Sequence, residues 1–451
     1  MRPLIFPRLL AVFCAVQSFS SLSAQVVINE FLASNSSGLT DQDGDYSDWI
    51  EIYNSGGTAV NLQDWSLTDS PDQPAKWRFP KTSLAPNGYL LVFASGKDRA
   101  VAGAELHASF SLDAAGEYLA LVRPDSVVAS EFARAYPRQE KDVSYGLYQG
   151  SAYYFTRPSP AAANSSGFVG LVADTKFSHD RGFYEAPFEL KITTETPDAI
   201  IYYTTNGKPP NATNGVVYTG PMQISATTVL RAAAFRSGYL PSKPDTQTYL
   251  FLDDIIHQSS DGRAPAGWPT SWGGNTVDYG MDPDVVNNPR YSATIKQDLQ
   301  TIPSVSMVLD LNDLFSSSRG IYANPGQDGI NWERPGSIEL IYPDGRQGFQ
   351  VNAGVRIRGG YSRSTGNPKH AFRLFFREEY GDAKLRFPLF GDAGTDTFDS
   401  IDLRTFQNYS WSFEGDSRGV FIRDVFSRDA QLAMGYQGER GDYCHLYING
   451  R

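Results

Sequence analysis

Between Arg346 and Arg377 the chain carries seven lysines or arginines and neither Asp nor Glu, within a sequence whose formal charge is −11. Six of these cations, Arg356, Arg358, Arg363, Lys369, Arg373 and Arg377, bracket Gly359, Gly360 and Ser362. Glycines that let a backbone approach closely, a serine hydroxyl and converging cations suit phosphate oxygens. The same residues also describe a solvated edge hairpin whose cations guard it against aggregation, and spacing alone leaves both readings open. Other chemistries have less to rest on. The five histidines, His107, His179, His257, His370 and His445, form no metal-spaced pair, and no nucleophile elbow is present. Cys444 and His445 are neighbours in an expected strand and point to opposite faces. Asp41, Asp43 and Asp45 alternate as in calcium loops. Yet Gly44 falls at the fourth position and Ile52 at the twelfth, where an EF-hand requires Gly at the sixth and Glu at the twelfth. A hydrated acidic turn is the other reading.

The elements that must position the basic turn are strands. In 351–358 the apolar residues Val351, Ala353, Val355 and Ile357 share one face, so a period of two places Arg356 and Arg358 together on the other. Beyond the turn, Phe372, Leu374 and Phe376 share a face, with Lys369, Arg373 and Arg377 opposite. Strands are also expected over 305–309, 337–342 and 443–449, with a turn at 343–346. One helix is expected over 417–434, with an apolar stripe of Phe421, Ile422, Val425, Phe426, Leu432 and Ala433. Asp416 or Ser417 would cap its start and Gly435 would close it, and Asp424 and Arg428 stand one turn apart for a surface pair.

The compartment is set by the start of the chain. Arg2 and Arg8 flank a basic beginning, 9–16 are apolar, and 17–24 are mostly small or polar, the layout of a secretory signal peptide over 1–24. The apolar run is too short to span a bilayer, so the protein is expected to be exported: extracellular, at the cell surface or periplasmic, with no transmembrane helix. Loss of Arg2 and Arg8 makes the net charge more negative still, which excludes bulk nucleic acid as a default partner. Cys14 leaves with the leader, so Cys444 has no partner for an internal disulfide, and hydrophobic cores must hold the fold. Gly, Pro, Tyr, Phe and Trp are prominent, which favours β modules joined by turns.

Short strands with turn signals recur through 26–31, 49–54, 65–69, 89–93 and 118–122, the pattern of a compact sandwich over 25–150. Ile28-Asn29-Glu30-Phe31-Leu32-Ala33-Ser34-Asn35, Asp48-Trp49-Ile50-Glu51-Ile52-Tyr53-Asn54 and Trp65-Ser66-Leu67-Thr68-Asp69 resemble the lamin-tail domain of bacterial exported proteins. That resemblance implies an immunoglobulin-like sandwich used for attachment. After a linker over 151–167, a second module spans 168–252, with a strand at 200–205 running into Asn206-Gly207. Phe177-Ser178, Gly182-Phe183-Tyr184, Tyr202 to Gly207, and Ser242 through Thr248-Tyr249 resemble the C-terminal β domain of chitobiases and related hexosaminidases, an accessory fold. Exposed aromatics such as Tyr202, Tyr203 and Trp272 would suit stacking on a polysaccharide or cell-surface polymer, although core packing competes for one of each neighbouring pair. Residues 253–301 form an ordered connector.

Residues 302–451 resemble the N-terminal part of the CotH (spore coat protein H) kinase-like domain. The match rests on Val355-Arg356-Ile357-Arg358-Gly359-Gly360-Tyr361-Ser362-Arg363, on Pro368-Lys369-His370-Ala371-Phe372-Arg373-Leu374-Phe375-Phe376, on Asp402-Leu403-Arg404, on Arg423-Asp424, and on His445-Leu446-Tyr447-Ile448-Asn449-Gly450. The resemblance implies an atypical protein kinase with a hydroxyl-bearing protein substrate. Arg358, Gly359, Gly360, Ser362 and Arg363 would cover ATP phosphates and Lys369 would pair with them. An acid on the helix, Asp424 or Asp429, would hold that lysine. The metal-binding and catalytic acids of the family follow the Asn-Gly strand, so the chain reads as truncated within this domain and inactive alone. ATP and magnesium are expected only for a complete domain. The whole is thus expected to be mainly β and multidomain: two immunoglobulin-like sandwiches followed by a partial α+β kinase-like N-terminal lobe. A non-catalytic adhesion or polysaccharide-binding protein with a scaffold lobe is the competing class.

Overall fold

β-branched and aromatic residues make Val26–Leu32 and Asp48–Asn54 strands, and they pair antiparallel near the centre of a six-stranded sheet. The order across that sheet is Ser151–Phe155, Ser144–Tyr148, Val26–Leu32, Asp48–Asn54, Tyr89–Ala94, Leu106–His107. A four-stranded sheet, Val128–Phe132, Leu119–Val122, Ser66–Thr68 and Trp77–Arg78, faces it. Ile28, Ile50, Ile52 and Val92 of the first sheet share one core with Leu67, Trp77, Leu119 and Leu121 of the second. The computed structural model describes residues 25–272, 274–367, 369–377, 379–405 and 420–451, and it divides into two compact units, Met1–Phe168 and Val169–Arg451. The expected leader 1–24 and the expected helix cap at 416–417 lie outside the described residues. No described helix is long and apolar enough to cross a membrane.

The expected linker 151–167 begins as a strand. Gln149 (φ 50°) and Gly150 (φ 81°) form a two-residue turn of the hand that matches strand twist, so Ser151–Phe155 folds back onto Ser144–Tyr148. Residues 158–164 then dock on two buried carboxylates that face each other across adjacent strands, Glu30 and Glu51. Glu30 accepts from Ser159 N (3.1 Å), Ser159 Oγ (2.9 Å) and Ser144 Oγ, and Glu51 accepts from Asn29 Nδ2 (2.8 Å) and Ala161 N. Asn164 Nδ2 bonds the carbonyls of Asn29 (3.1 Å) and Leu147 (2.9 Å). Composition marked this stretch as a linker because its Pro and Ser are turn formers; the backbone N–H groups of Ser159 and Ala161 are what the carboxylates require.

In the second unit, Ile200–Thr204, Thr228–Phe235 and Asp245–Leu250 form the centre of a five-stranded sheet over a core that includes Leu190, Ile192, Leu230 and Tyr249. Residues 302–451 supply a six-stranded sheet in the order Ser400–Leu403, Ala371–Phe375, Gln350–Arg358, Arg334–Ile341, Ser304–Val308, His445–Ile448, with only the last pair parallel. Val351, Ala353, Val355, Ile357, Phe372, Leu374 and Phe376 are all buried, as their alternation predicts. The two sheets meet around Leu250, Ile341 and Tyr447. Gly207 carries φ 79°, and a Cβ there would lie 2.3 Å from the Leu309 carbonyl oxygen. Only glycine lets the Asn206-Gly207 turn come that close. Asn449, at the end of the adjacent edge strand, bonds both the amide and the carbonyl of Leu309 at 2.9 and 2.8 Å. At the centre of the contact, Glu339 is fully buried, 3.1 Å from Thr248 N and 3.1 Å from Arg181 Nε, and also accepts from Thr248 Oγ1. The chain is mainly β and multidomain.

The expected helix is Arg423–Ala433, closed by Gly435 at φ 84°. Its described stripe does not face a core: no helix residue is buried, and Phe426 is 70% exposed. Asp424 pairs with Arg404 and Arg428 with Glu439 (3.0 Å), rather than with each other. Long cations follow whichever carboxylate tertiary packing supplies, since an i, i+4 pair contributes only a few tenths of a kcal/mol.

Candidate phosphate-facing turn

The strand Gln350–Arg358 ends in Gly359, whose φ of 117° turns the chain so sharply that a Cβ would sit 1.9 Å from Ser362 Oγ. The turn continues through a short 3₁₀ segment, Tyr361–Arg363. Its backbone is fixed from several sides. Asn367, itself buried, donates Nδ2 to the Tyr361 carbonyl (3.0 Å), and Asn275 donates Nδ2 to the Thr365 carbonyl (2.6 Å). His370 donates Nδ1–H to the Ser362 carbonyl (2.9 Å), which sets its tautomer, and its ring lies edge-on to Trp272 with centroids 4.8 Å apart. Burial pushes the His370 pKa below its usual value, with the Ser362 carbonyl opposing, so the ring is neutral at pH 7.

The connector 253–301 is therefore part of this support. Trp272 is buried against Tyr322 and His370, a correction to its expected exposure on a sugar-stacking face. Trp268 packs on Tyr279 and Phe315 at 5.4 and 5.9 Å. Tyr203 packs against the core of its sheet and Tyr202 is half-buried edge-on to Phe235, so these residues form no open aromatic platform. His370 and Trp272 were not assigned to the turn from sequence, because neither lies on an element with a period that points at it.

The local excess of cations is balanced by acids from elsewhere in the chain. Asp402 lies 2.6 Å from Arg358 Nε and accepts both Nε and Nη2 of Arg373, at 2.6 and 2.9 Å. Burial alone would raise the Asp402 pKa; Arg373 and Arg358 more than offset it and hold the carboxyl below its ordinary value. Buried Glu333 meets Arg377 (2.9 Å) and Arg356 (3.3 Å), and both guanidinium groups lie over the Phe375 ring. Arg363 reaches Asp328 at 3.3 Å. Arg356 and Arg373 stand directly opposite on paired strands, a costly like-charge juxtaposition. Each turns to a different carboxylate.

Lys369 falls in the turn rather than in the strand, which is Ala371–Phe375; it is exposed and makes no ion pair among the described residues. Asp424, one of the two acids proposed for it, is engaged by Arg404. The turn thus brings Gly359, Gly360 and Ser362 together, holds Arg358 and Arg363 in internal pairs, and leaves Lys369 as a cation open to solvent. In the first unit, Lys97 Nζ occupies the middle of the acidic loop, 2.6, 2.7 and 2.8 Å from Asp41, Asp43 and Asp45. Arg99 adds a second cation 2.8 Å from Asp43, so the loop is held by ion pairs that offset part of its negative charge.

Residues 20–134 match the family described as the Lamin Tail Domain, and residues 179–246 match the Chitobiase/beta-hexosaminidase C-terminal domain. No curated protein matches the chain. The two matches fall on the two β modules and outside 302–451, where the residues and their geometry carry the reading. The chain is a multi-module β protein whose first module is similar to lamin-tail domains and whose second is similar to the accessory β domain of chitobiases.

Proposed function

We propose that this is an exported surface protein in which two attachment modules carry the N-terminal lobe of a CotH-like atypical protein kinase. In this reading Gly359, Gly360 and Ser362 cradle ATP phosphates, Lys369 supplies the cation they meet, and Arg358 and Arg363 shape the turn. The single observation that supports it best is Lys369: exposed and without an ion pair among the described residues, beside a turn whose backbone is fixed by Asn367, Asn275 and His370. A preorganised turn with one open cation suits an anionic ligand. Magnesium needs carboxylates that are free to bind it, and the acids meeting the turn's arginines, Asp328, Glu333 and Asp402, are all committed to those arginines. This chain is accordingly expected to hold ATP weakly and to transfer no phosphate to a protein hydroxyl by itself.

Calorimetric titration of the full chain with ATP at fixed magnesium tests the reading. The affinity should fall as salt rises from 50 to 200 mM, because the contact is a solvent-exposed charge pair. Lys369→Ala should weaken binding about tenfold, the equivalent of one charge-assisted hydrogen bond. Arg377→Ala, whose guanidinium faces Glu333, should change it little. Circular dichroism would establish that both variants fold. Equal affinities for Lys369→Ala and the parent would remove Lys369 from the site.

A second reading, attachment without phosphate chemistry, is favoured by the engagement of Arg358 and Arg363 in internal ion pairs. In it the modules bind a polysaccharide or another cell-surface polymer, and the six-stranded sheet is a scaffold.

A further inference from the structure

Where the sheet of the second module meets the six-stranded sheet, the junction leaves a groove of ≈ 560 Å³, within the range of ligand clefts. Asp174, Arg181 and Asp245 line it from the second module, and Phe349, Gln350 and Asn352 from the other sheet. We propose that this groove binds a short run of a neutral, hydroxyl-rich glycan, an assignment that rests on the attachment reading and gives it a location.

The lining chemistry selects that ligand class. Every sugar hydroxyl is both donor and acceptor, and the groove lining combines acceptor-only carboxylates with the amides of Gln347, Gln350 and Asn352, which do both. Asn352 Oδ1 accepts from Gln350 Nε2 (3.3 Å), while Asn352 Nδ2 makes no hydrogen bond among the described residues and remains a donor for a ligand. Phe349 is half-buried edge-on to Phe387, centroids 5.1 Å apart, and lines the groove as an apolar surface for the C–H face of a sugar ring. Three carboxylates, Asp174, Asp245 and Asp382, stand against Arg181 and Lys243, and Arg181 is turned to buried Glu339 at 3.1 Å. The resulting negative field opposes phosphate and acidic polymers.

The site is also rigid. Gln350 Nε2 is anchored on Ser337 Oγ at 2.9 Å, and the Arg181 backbone donates to Gln247 Oε1 at 2.8 Å. A preorganised groove loses less conformational freedom on binding. Neither sheet forms it alone, which explains why no single module's sequence announces it.

Affinity electrophoresis of the full chain through gels holding soluble neutral glycans (a β-glucan, a xylan, glycol chitin) tests the proposal, with carboxymethyl cellulose as the acidic counterpart. At least one neutral glycan should slow the protein, and the acidic one should not. Asp245→Asn and Asn352→Ala should each restore mobility, corresponding to at least tenfold weaker binding. Retardation that survives both substitutions overturns the groove but leaves attachment standing. Retardation by carboxymethyl cellulose alone also overturns the groove. Free mobility in every gel overturns the groove and the attachment reading together.

Discussion

Glu339→Ala is expected to destabilise the unit Val169–Arg451 by about 3–5 kcal/mol, the usual cost of removing one partner from a buried charge cluster. The carboxylate is fully buried and bonds Thr248 through both N and Oγ1, with Arg181 Nε at 3.1 Å. It also supports Arg231, whose pKa burial pushes down to about 10 against the opposing field of Glu339. Removing the carboxylate leaves Arg181 without its buried partner and takes away the field that favours the charge of Arg231, whose guanidinium keeps the Gly207 carbonyl at 3.0 Å. Calorimetry should show the melting temperature of this unit fall on the order of 10 °C. Glu339→Gln keeps the shape and one acceptor, so its cost should be smaller. It should also change the pH dependence. Burial raises the Glu339 pKa to about 7, with Arg181 and the Thr248 donors opposing. A carboxyl raised in the folded state contributes stability that is fully present below the unfolded value and lost as pH rises through the folded one. The parent should therefore lose stability between about pH 4.5 and 7, and Glu339→Gln should flatten that slope. An unchanged slope would mean the buried group does not titrate as its surroundings require.

The first unit carries the second large effect, at Glu51. Burial raises its pKa to about 7, and the facing Glu30, itself raised by burial, adds to this, while Asn29 and Ala161 donate to it and oppose. Glu51→Ala leaves the buried donor Asn29 Nδ2 and the more exposed Ala161 N without their acceptor. At about 1–3 kcal/mol for a buried unsatisfied group, the expected loss is roughly 1–3 kcal/mol at pH 5. At pH 8 the parent carries the cost of an ionised, buried carboxylate and the variant does not. The difference between them should accordingly shrink as pH rises. Amide exchange at Ser159 and Ala161 reads this directly, because residues 158–164 are held to the sheet by these carboxylates. Exchange in the variant as slow as in the parent at pH 5 would show that the strap is held by something else.

Much of the framework was legible in the sequence because it depends on periodicity. The alternation from Val351 to Ile357 and from Phe372 to Phe376 placed their apolar faces correctly, and Gly435 ends the helix where a left-handed residue is required. The electrostatics were not legible. Asp328, Glu333 and Asp402 are distant in sequence from the arginines they neutralise, so a charge count along the chain saw an excess that the fold removes. Lys97 likewise fills the acidic loop from another strand region. Trp272 sits in an aperiodic segment, where hydrophobicity suggested ordering without naming the partners, Tyr322 and His370. Residues 151–167 read as a linker because Pro and Ser signal turns, whereas two carboxylates on neighbouring strands fix their conformation.

The claim that the turn before Ala371 faces nucleotide phosphates is tested most directly by labelling with an ATP acyl phosphate. A lysine amine beside the phosphates attacks the acyl carbonyl, forming an amide and releasing ATP, so the modified residue reports the position of the phosphates. Peptide mapping of the labelled full chain should find Lys369 acylated at low probe concentration, with the labelling suppressed by excess ATP and by raised salt. Labelling of Lys369 that ATP does not suppress, or ATP-protected acylation at Lys384 or Lys208 with Lys369 untouched, would contradict the account.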